Sequence, residues 1–288
     1  MFASAYKKAI NYTKPVIIST RNQIGEVNCA CGSYILLNKD GWILTVAHLL
    51  DSFIEFQKNK DELDKYDKEV ERINNDNTLN TKKKRKKINN LDRNPKWITN
   101  LSFWWGADEI TINKFHFYYP GDIAIGKIEN YKPADNTIFP KLKNPKKMDI
   151  ATSLCKLGFP FHDIKATFTE KTKSFVLADG TLPLPFFPIE GIYTRNVYVN
   201  NPIDKKGFSV KFIETSSPGL RGQSGGPIFD SSGTIWGVQS RTQHFPLGFS
   251  PKINGVEENQ FLNVGLGLHP EFIMEFLNKY KVDFELVD

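Results

Sequence analysis

Short apolar stretches separated by turn-forming residues run through most of the sequence, and they constrain its fold more than any other feature. Residues 34–37 and 42–46 are two such stretches, and the Asn-Lys-Asp-Gly sequence between them is typical of a β-hairpin turn. The same texture returns at residues 97–128 and, after a Pro- and Lys-rich connection at 129–147, continues to residue 268. The 22 Phe, 20 Gly and 16 Pro suit short strands and tight turns better than helices. The sequence therefore predicts an all-β protein.

The Pro- and Lys-rich connection divides the chain into two strand-rich parts. The first part, residues 1–130, begins with a short amphipathic helix at residues 2–14 and contains a charged insertion at about 51–95. The second part, residues 150–288, has a helix near its end at 270–280, because apolar residues recur there at helical spacing behind a proline. One face of this helix is expected to pack in the core, with the residues Phe272, Ile273, Phe276, Leu277 and Tyr280.

The insertion carries the most unusual charge pattern of the chain. We expect its first part, through about residue 73, to form a charged helix and the remainder to be mobile. The formal net charge is +6, and one basic run contributes six positive charges, so the rest of the chain is neutral. This excludes a general basic face for nucleic acid. Nucleic-acid binding would depend on that run alone, which consists of Lys82, Lys83, Lys84, Arg85, Lys86 and Lys87.

Cysteine usage and hydropathy indicate the compartment. The three cysteines, Cys29, Cys31 and Cys155, cannot form the even disulfide framework of a small secreted protein. No stretch reaches the roughly eighteen uncharged apolar residues of a membrane span, and the N-terminus has no secretion signal. We therefore expect a cytoplasmic protein without a membrane partner. Cys29 and Cys31 have no matching ligand pair elsewhere, so no metal site is expected.

The glycine-rich segment PGLRGQSGGPIF, residues 218–229, carries the clearest chemical signal. Small neighbours leave the hydroxyl of Ser224 exposed, and the glycines let a substrate carbonyl approach the backbone. In such a turn the N–H groups of Gly222 and Ser224 can point at one spot, which would form an oxyanion hole. A purely structural glycine-rich loop is the alternative.

Two further motifs supply a candidate base and a candidate acid. In TVAH, His48 lies just past the end of a predicted strand, and in GDIAIGKI, Asp122 enters a strand directly. An orienting acid requires such a rigid, buried position. Asp108 is the nearest rival, but no apolar alternation follows it. Taken alone, His48 would be interpreted as a core histidine; the other two motifs favour a catalytic role.

These three motifs, GQSGGPIF, TVAH and GDIAIGKI, resemble the signatures of chymotrypsin-like (trypsin-like) serine proteases, in that family's chain order His, Asp, Ser. LGFPF at residues 157–161 and the helix before the first strand make the chain similar to Deg or HtrA-type and other bacterial trypsin-like peptidases. No PDZ domain is expected after the second part. Gln223 replaces the acid that precedes the nucleophile in trypsin, so activation by N-terminal cleavage is not expected.

The resemblance implies two antiparallel six-stranded β-barrels with the active site between them. His48 and Asp122 would come from the first barrel, and Ser224 with the oxyanion hole from the second. Ser224 would attack a peptide carbonyl and form an acyl-enzyme, His48 would transfer the proton and Asp122 would orient the imidazole. The implied partner is a protein or peptide substrate, and no metal or organic cofactor is needed.

The sequence leaves three alternative hypotheses. G-x-S-x-G also occurs in α/β-hydrolases, but there the acid and the histidine follow the serine, and too little chain remains after Ser224. A catalytically silent binding module with the same fold would lack a triad member, and none is missing. A protease regulated by nucleic acid would depend on the basic run of the insertion.

Substrate-binding residues follow from the same resemblance. The walls of the primary pocket would be residues 218–221, residues 240–243 and Gly265, and none of them is acidic, so small or apolar substrate side chains are favoured over Lys or Arg. An extended substrate is expected to add to the strand edge near residues 240–242. The named binding residues are Pro218, Leu220, Ser240, Arg241, Thr242 and Gly265.

Overall fold

The strands of the first half form one curled antiparallel sheet. The computed structural model describes residues 1–91, 94–161, 163–198 and 210–288. Its elements up to residue 128 are α1 (Ala3–Tyr12), β1 (Thr13–Asn22), β2 (Val27–Leu36), β3 (Trp42–Thr45), α2 (Asp51–Asn75), α3 (Thr81–Asn89), β4 (Ile98–Trp104), β5 (Ile112–Tyr118) and β6 (Ile123–Ile128), with 3-10 turns at Ala47–Leu50 and Tyr119–Gly121.

The strand order in this first sheet is β4-β1-β2-β3-β6-β5. The predicted hairpin is confirmed, because Ile35 of β2 pairs with Leu44 of β3. Strand β3 then pairs with β6 through Leu44 and Ile125, which brings the segment that follows β3 close to the residue that precedes β6. Within the described ranges no ladder joins the edge strands β4 and β5, so this half is curled but not closed.

The second half forms a barrel that is closed by hydrogen bonds. Its elements are β7 (Lys141–Lys143), a 3-10 turn at Pro145–Lys147, β8 (Ser153–Gly158), β9 (Ala166–Thr169), β10 (Ser174–Leu177), β11 (Phe187–Tyr198), β12 (Lys211–Thr215), β13 (Pro227–Phe229), β14 (Ile235–Pro246), β15 (Lys252–Ile253), β16 (Val256–Glu257), β17 (Phe261–Leu268), α4 (Pro270–Lys279) and β18 (Glu285–Val287).

Six of these strands follow one another around the barrel in the order β13-β8-β11-β12-β17-β14, and β14 pairs with β13 to complete the ring. The short strands β7 and β18 extend the sheet in parallel from the start of β14, whereas the pairs β9–β10 and β15–β16 are separate hairpins. The predicted all-β class with two barrel-like halves is therefore confirmed, with the difference that only the second half is closed.

The insertion is helical over both of its described parts. Helix α2 contacts β4 and continues directly from the 3-10 turn after β3. The basic run, which we expected to be mobile, lies in helix α3, whose first turn is capped by the Asn80 side chain accepting from the Lys83 N–H. The Lys84 ammonium also donates to the Asn74 carbonyl at the end of α2. Residues 92–93 lie outside the described ranges.

Helix α4 joins the two halves. Phe272, Ile273, Phe276 and Leu277 are buried, as the helical spacing predicts. The ring of Phe272 packs against Tyr118 and against Gly121, where any side chain would collide with it. A helix of the second half thus supports the turn of the first half that leads into Asp122. Across the described residues, no helix combines the length and the apolar character needed to cross a bilayer.

We predict that Phe272→Ala lowers the free energy of unfolding by about 3–5 kcal/mol, because it removes a fully buried ring from between the two halves. Denaturant titration followed by tryptophan fluorescence would measure the loss. Phe249→Ala is the matched control, since Phe249 is exposed and its truncation should change stability by less than about 0.5 kcal/mol. Equal losses in the two variants would contradict the packing role of Phe272.

Candidate active site

His48 lies between the first sheet and the helical insertion. Strand β3 ends at Thr45, and the 3-10 turn Ala47–Leu50 carries the imidazole out of the sheet before α2 begins at Asp51. The neighbours Ala47, Leu49 and Leu50 are buried, so the turn is anchored on both sides of the histidine. The side chain of His48 keeps 39% of its surface exposed and can meet a ligand.

Asp122 collects hydrogen bonds from both halves of the molecule. It has left-handed backbone torsions between the turn Tyr119–Gly121 and β6, a conformation that Asp tolerates better than most residues. Its carboxylate accepts from the backbone N–H of His48 at 3.0 Å and lies 3.0 and 3.1 Å from Nδ1 of the same residue. The Ser240 hydroxyl of the second half donates to it at 2.5 Å. With Nδ1–H held by the carboxylate, Nε2 of neutral His48 is the acceptor.

The charges of the two groups support each other. Burial disfavours the imidazolium, but the hydrogen bond and the negative charge of Asp122, helped by Asp51, outweigh it and raise the pKa of His48 above its ordinary value; Arg241 opposes the rise. Burial would also raise the pKa of Asp122, yet the hydrogen bonds from His48 and Ser240 outweigh it and the pKa is lowered. Asp122 therefore remains ionised at neutral pH.

The turn that carries Ser224 is held by the opposite half of the molecule. Ser33 of β2 donates its N–H to the Ser224 carbonyl and its hydroxyl to the Gly222 carbonyl, both at 2.8 Å. The N–H of Phe159 donates to the same Gly222 carbonyl at 3.0 Å. Gly222 has φ +94, and a side chain there would collide with the Phe159 carbonyl, so the turn requires glycine.

The five backbone N–H groups of residues 222–226 divide into two sets. The N–H groups of Gln223, Gly225 and Gly226 donate to carbonyls within the protein. Among the described residues, the N–H groups of Gly222 and Ser224 make no such bond. Since buried amides are normally paired, two neighbouring unpaired donors can receive an oxygen that carries negative charge.

Two cavities meet at Ser224. One, of about 690 Å³, is lined by His48, Gly222 and Ser224 together with the apolar residues Phe159 and Phe161. The Ser224 hydroxyl donates to the Ser240 carbonyl at 3.4 Å, so in this conformation its partner is that carbonyl and not the imidazole that shares the cavity. The other cavity, of about 540 Å³, contains Ser224 and most of the predicted substrate-binding residues, which are Pro218, Leu220, Ser240, Arg241 and Thr242.

Comparison with solved structures identifies this architecture. The Rv3671c protease from M. tuberculosis in its active form superposes with a TM-score of 0.50 and 13% sequence identity, over 98% of this chain and 86% of that one. The chain has the chymotrypsin-like protease fold. An HtrA-type protease, AlgW, in complex with a tripeptide matches at a TM-score of 0.47 and 11% identity, over 97% of this chain and 63% of that one. No protein-family model matches the chain, and no curated protein does.

Within this chymotrypsin-like fold, two residues from the sequence analysis are not in the lining of either cavity: Gly265, a predicted binding residue, and Asp108, the alternative to Asp122 as the orienting acid. Gly265 is not among the residues that line the second cavity, and its role in substrate binding stays a prediction. It pairs with Thr242 across the sheet but faces the Lys156 ammonium and the Ser217 carbonyl inside the barrel. Asp108 accepts from the Trp104 indole at 2.7 Å and takes no part in the site.

Several contributors to the site carry no signal in the sequence. The side chain of Ser240 binds Asp122, although sequence analysis assigned this residue to substrate binding only. Ser33, Lys156 and Asp51 were missed, because each acts through a contact with a residue remote along the chain or through its charge. Over the described residues, no group of three or more His, Cys, Asp or Glu is placed to hold a metal ion. One of the five histidines of the chain, His162, lies outside those residues.

We predict that the pKa of His48 lies above the ordinary histidine value and that two neighbouring charges shift it in opposite directions. NMR titration of the imidazole ring would measure it. Asp51→Asn should lower it, because a negative charge that stabilises the imidazolium is lost. Arg241→Gln should raise it, because an opposing positive charge is lost. Asp108→Asn is the control and should leave the titration unchanged; a shift as large as that of Asp51→Asn would contradict the local origin.

Proposed function

We propose that the protein is a serine endopeptidase that uses His48, Asp122 and Ser224. The observation that carries the proposal is the Asp122 carboxylate, which holds Nδ1 of His48 and leaves Nε2 for the cavity that also contains Ser224. The chymotrypsin-like fold and the two unpaired amides beside Ser224 support it further.

The reaction would proceed in two acyl-transfer steps. Rotation of the Ser224 side chain away from the Ser240 carbonyl brings its hydroxyl to Nε2 of His48, which accepts the proton as the oxygen attacks the scissile carbonyl. The N–H groups of Gly222 and Ser224 stabilise the oxyanion. His48 then gives its proton to the leaving amine, and a water activated by the same imidazole hydrolyses the acyl-enzyme.

The substrate would bind as an extended strand. From Arg241 onward, β14 pairs with β17 on one side, and within the described residues its other edge is unpaired. Addition of a peptide to this edge offers main-chain hydrogen bonds in a fixed register, which places the scissile bond with little demand on sequence. Protein or peptide substrates are the class that such an edge recognises.

We predict that a fluorophosphonate probe labels the wild-type protein and that Ser224→Ala abolishes both the labelling and the hydrolysis of denatured casein, because loss of a triad serine lowers kcat on the order of 10⁶-fold. Ser250→Ala is the matched control, since Ser250 lies on the exposed loop that precedes β15. Labelling that persists in Ser224→Ala would sink the assignment. A folded wild type that is never labelled would favour the catalytically silent binding module.

A second prediction concerns the oxyanion hole. Gly222→Ala should lower kcat about 10²–10³-fold, because a side chain there collides with the Phe159 carbonyl and displaces one donor. Gly248→Ala is the matched control: Gly248 also has positive φ, at +78, but no atom lies within 4 Å of the added methyl group. Both variants should lose roughly 1 kcal/mol of stability or more, and only Gly222→Ala should lose activity. Equal kinetics in the two variants would remove Gly222 from the mechanism.

A further inference from the structure

The cavity on the Ser240 side of Ser224 has two arginines and no carboxylate among its lining residues. Arg221 stands at one wall and Arg241 at the other, and His244 lies further along the same strand. No Asp or Glu belongs to the lining, and neither guanidinium forms an ion pair with a described residue. Arg241 instead lies over the ring of Phe212, 4.7 Å from its centre. The cavity lining therefore includes two arginines that form no ion pair with any residue in the part of the chain that the structure describes.

A further cation lies behind the wall of this cavity. Lys156 of β8 is 1% exposed, and its ammonium donates to the Thr215 hydroxyl at 3.1 Å and to the carbonyls of Ser217 and Pro218 at 2.5 and 2.8 Å. These three acceptors use all the hydrogens of the ammonium, and all three are neutral. Its charge is therefore solvated by dipoles and not cancelled by a carboxylate.

The buried lysine also sets the orientation of the wall. The carbonyl of Pro218 points to Lys156, and in a trans peptide the following N–H, that of Gly219, points the opposite way. That N–H meets the Thr242 hydroxyl at 2.9 Å, and Thr242 donates back to the Gly219 carbonyl at 2.6 Å. The lysine thus fixes one wall of the cavity, and Thr242 ties this wall to β14.

Burial lowers the pKa of Lys156 to about 7, so its charge is readily lost and readily restored. A carboxylate in the cavity would favour the charged form, whereas a second cation would disfavour it. The two arginines act in the same direction, because guanidinium groups bind carboxylates with paired hydrogen bonds and repel Lys or Arg.

We propose that this cavity binds an acidic side chain, Asp or Glu, of the substrate residue that supplies the scissile carbonyl. The inference rests on the proposed function and names the substrate class of the same site. Two cavities reach Ser224, and this one lies along β14, the strand whose edge would receive the substrate, so we assign to it the side chain next to the attacked carbonyl. It replaces the small or apolar preference that the sequence alone favoured. Lys156, which lies behind the cavity wall at Pro218, adds a third cation to Arg221 and Arg241 of the lining.

The test uses matched peptides that differ only at the residue before the cleaved bond. Peptides with Glu and Gln have the same shape and differ in one charge, as do Asp and Asn. We expect kcat/KM for Glu to exceed that for Gln at least about tenfold, the discrimination of one charge-assisted hydrogen bond. A Lys peptide should be cleaved more slowly than Gln, and added salt should reduce the Glu/Gln ratio.

Variants of the cations assign the preference to the cavity. Arg221→Gln and Arg241→Gln should each reduce the Glu/Gln ratio, and Lys156→Met should do so while circular dichroism confirms that it folds. Arg85→Gln, on the exposed helix α3, is the charge-matched control and should keep the wild-type ratio. A ratio that survives both arginine variants would contradict the proposal, and a folded Lys156→Met with an unchanged ratio would remove Lys156 from it.

The inference and the proposed function fail in different ways. If fluorophosphonate labels Ser224 and peptides are cleaved, but Gln or an apolar residue is preferred over Glu, the acidic preference is wrong and the endopeptidase assignment stands. If neither labelling nor cleavage of any peptide occurs, the endopeptidase assignment fails and the inference fails with it.

Discussion

The carboxylate of Asp122 is the point on which both halves of the molecule converge. It accepts two hydrogen bonds from His48 of the first half and one from Ser240 of the second. A buried carboxylate is costly unless donors surround it, so each half stabilises the same charge. Because the Ser240 carbonyl also accepts from Ser224, one short segment of β14 connects Asp122 to Ser224. The relative position of the two halves and the geometry of the site are therefore set by the same contacts.

A second set of contacts acts from the opposite direction. Ser33 reaches from β2 into the turn of the second half and binds the carbonyls on either side of Gln223. The Thr45 hydroxyl in turn donates to the Ser33 carbonyl at 2.7 Å, so β3, which leads to His48, supports the strand that holds the turn of Ser224. In the proposed mechanism, amides held in this way next to Ser224 would need no rearrangement to stabilise an oxyanion. This rigidity is what a backbone oxyanion site requires.

Much of the fold could be predicted from the sequence because its signals are local. Turn residues and alternation located the hairpin before His48, and the glycines around Ser224 were interpretable because a tight turn leaves few alternatives. Local composition did not predict helix α3. The run of basic residues alone does not indicate a helix, and the Asn80 side chain caps its first turn. Lys156 and Ser33 could not be found, because their partners lie 61 and 189 residues away along the chain. The same limit applies to Gly265, whose facing direction depends on the closed barrel and not on its neighbours.

Helix α4, near the end of the sequence, completes the packing of a turn that is synthesised much earlier. The ring of Phe272 packs on Gly121, directly before the acid, so the acid turn receives its support from a residue about 150 positions later. A ribosome-bound chain that has not yet delivered residues 270–279 would have the histidine, the aspartate and the serine, but not the packing that holds the acid turn in place. The turn that holds Asp122 against His48 would then reach its packed position only late in translation, after both halves of the molecule have been synthesised.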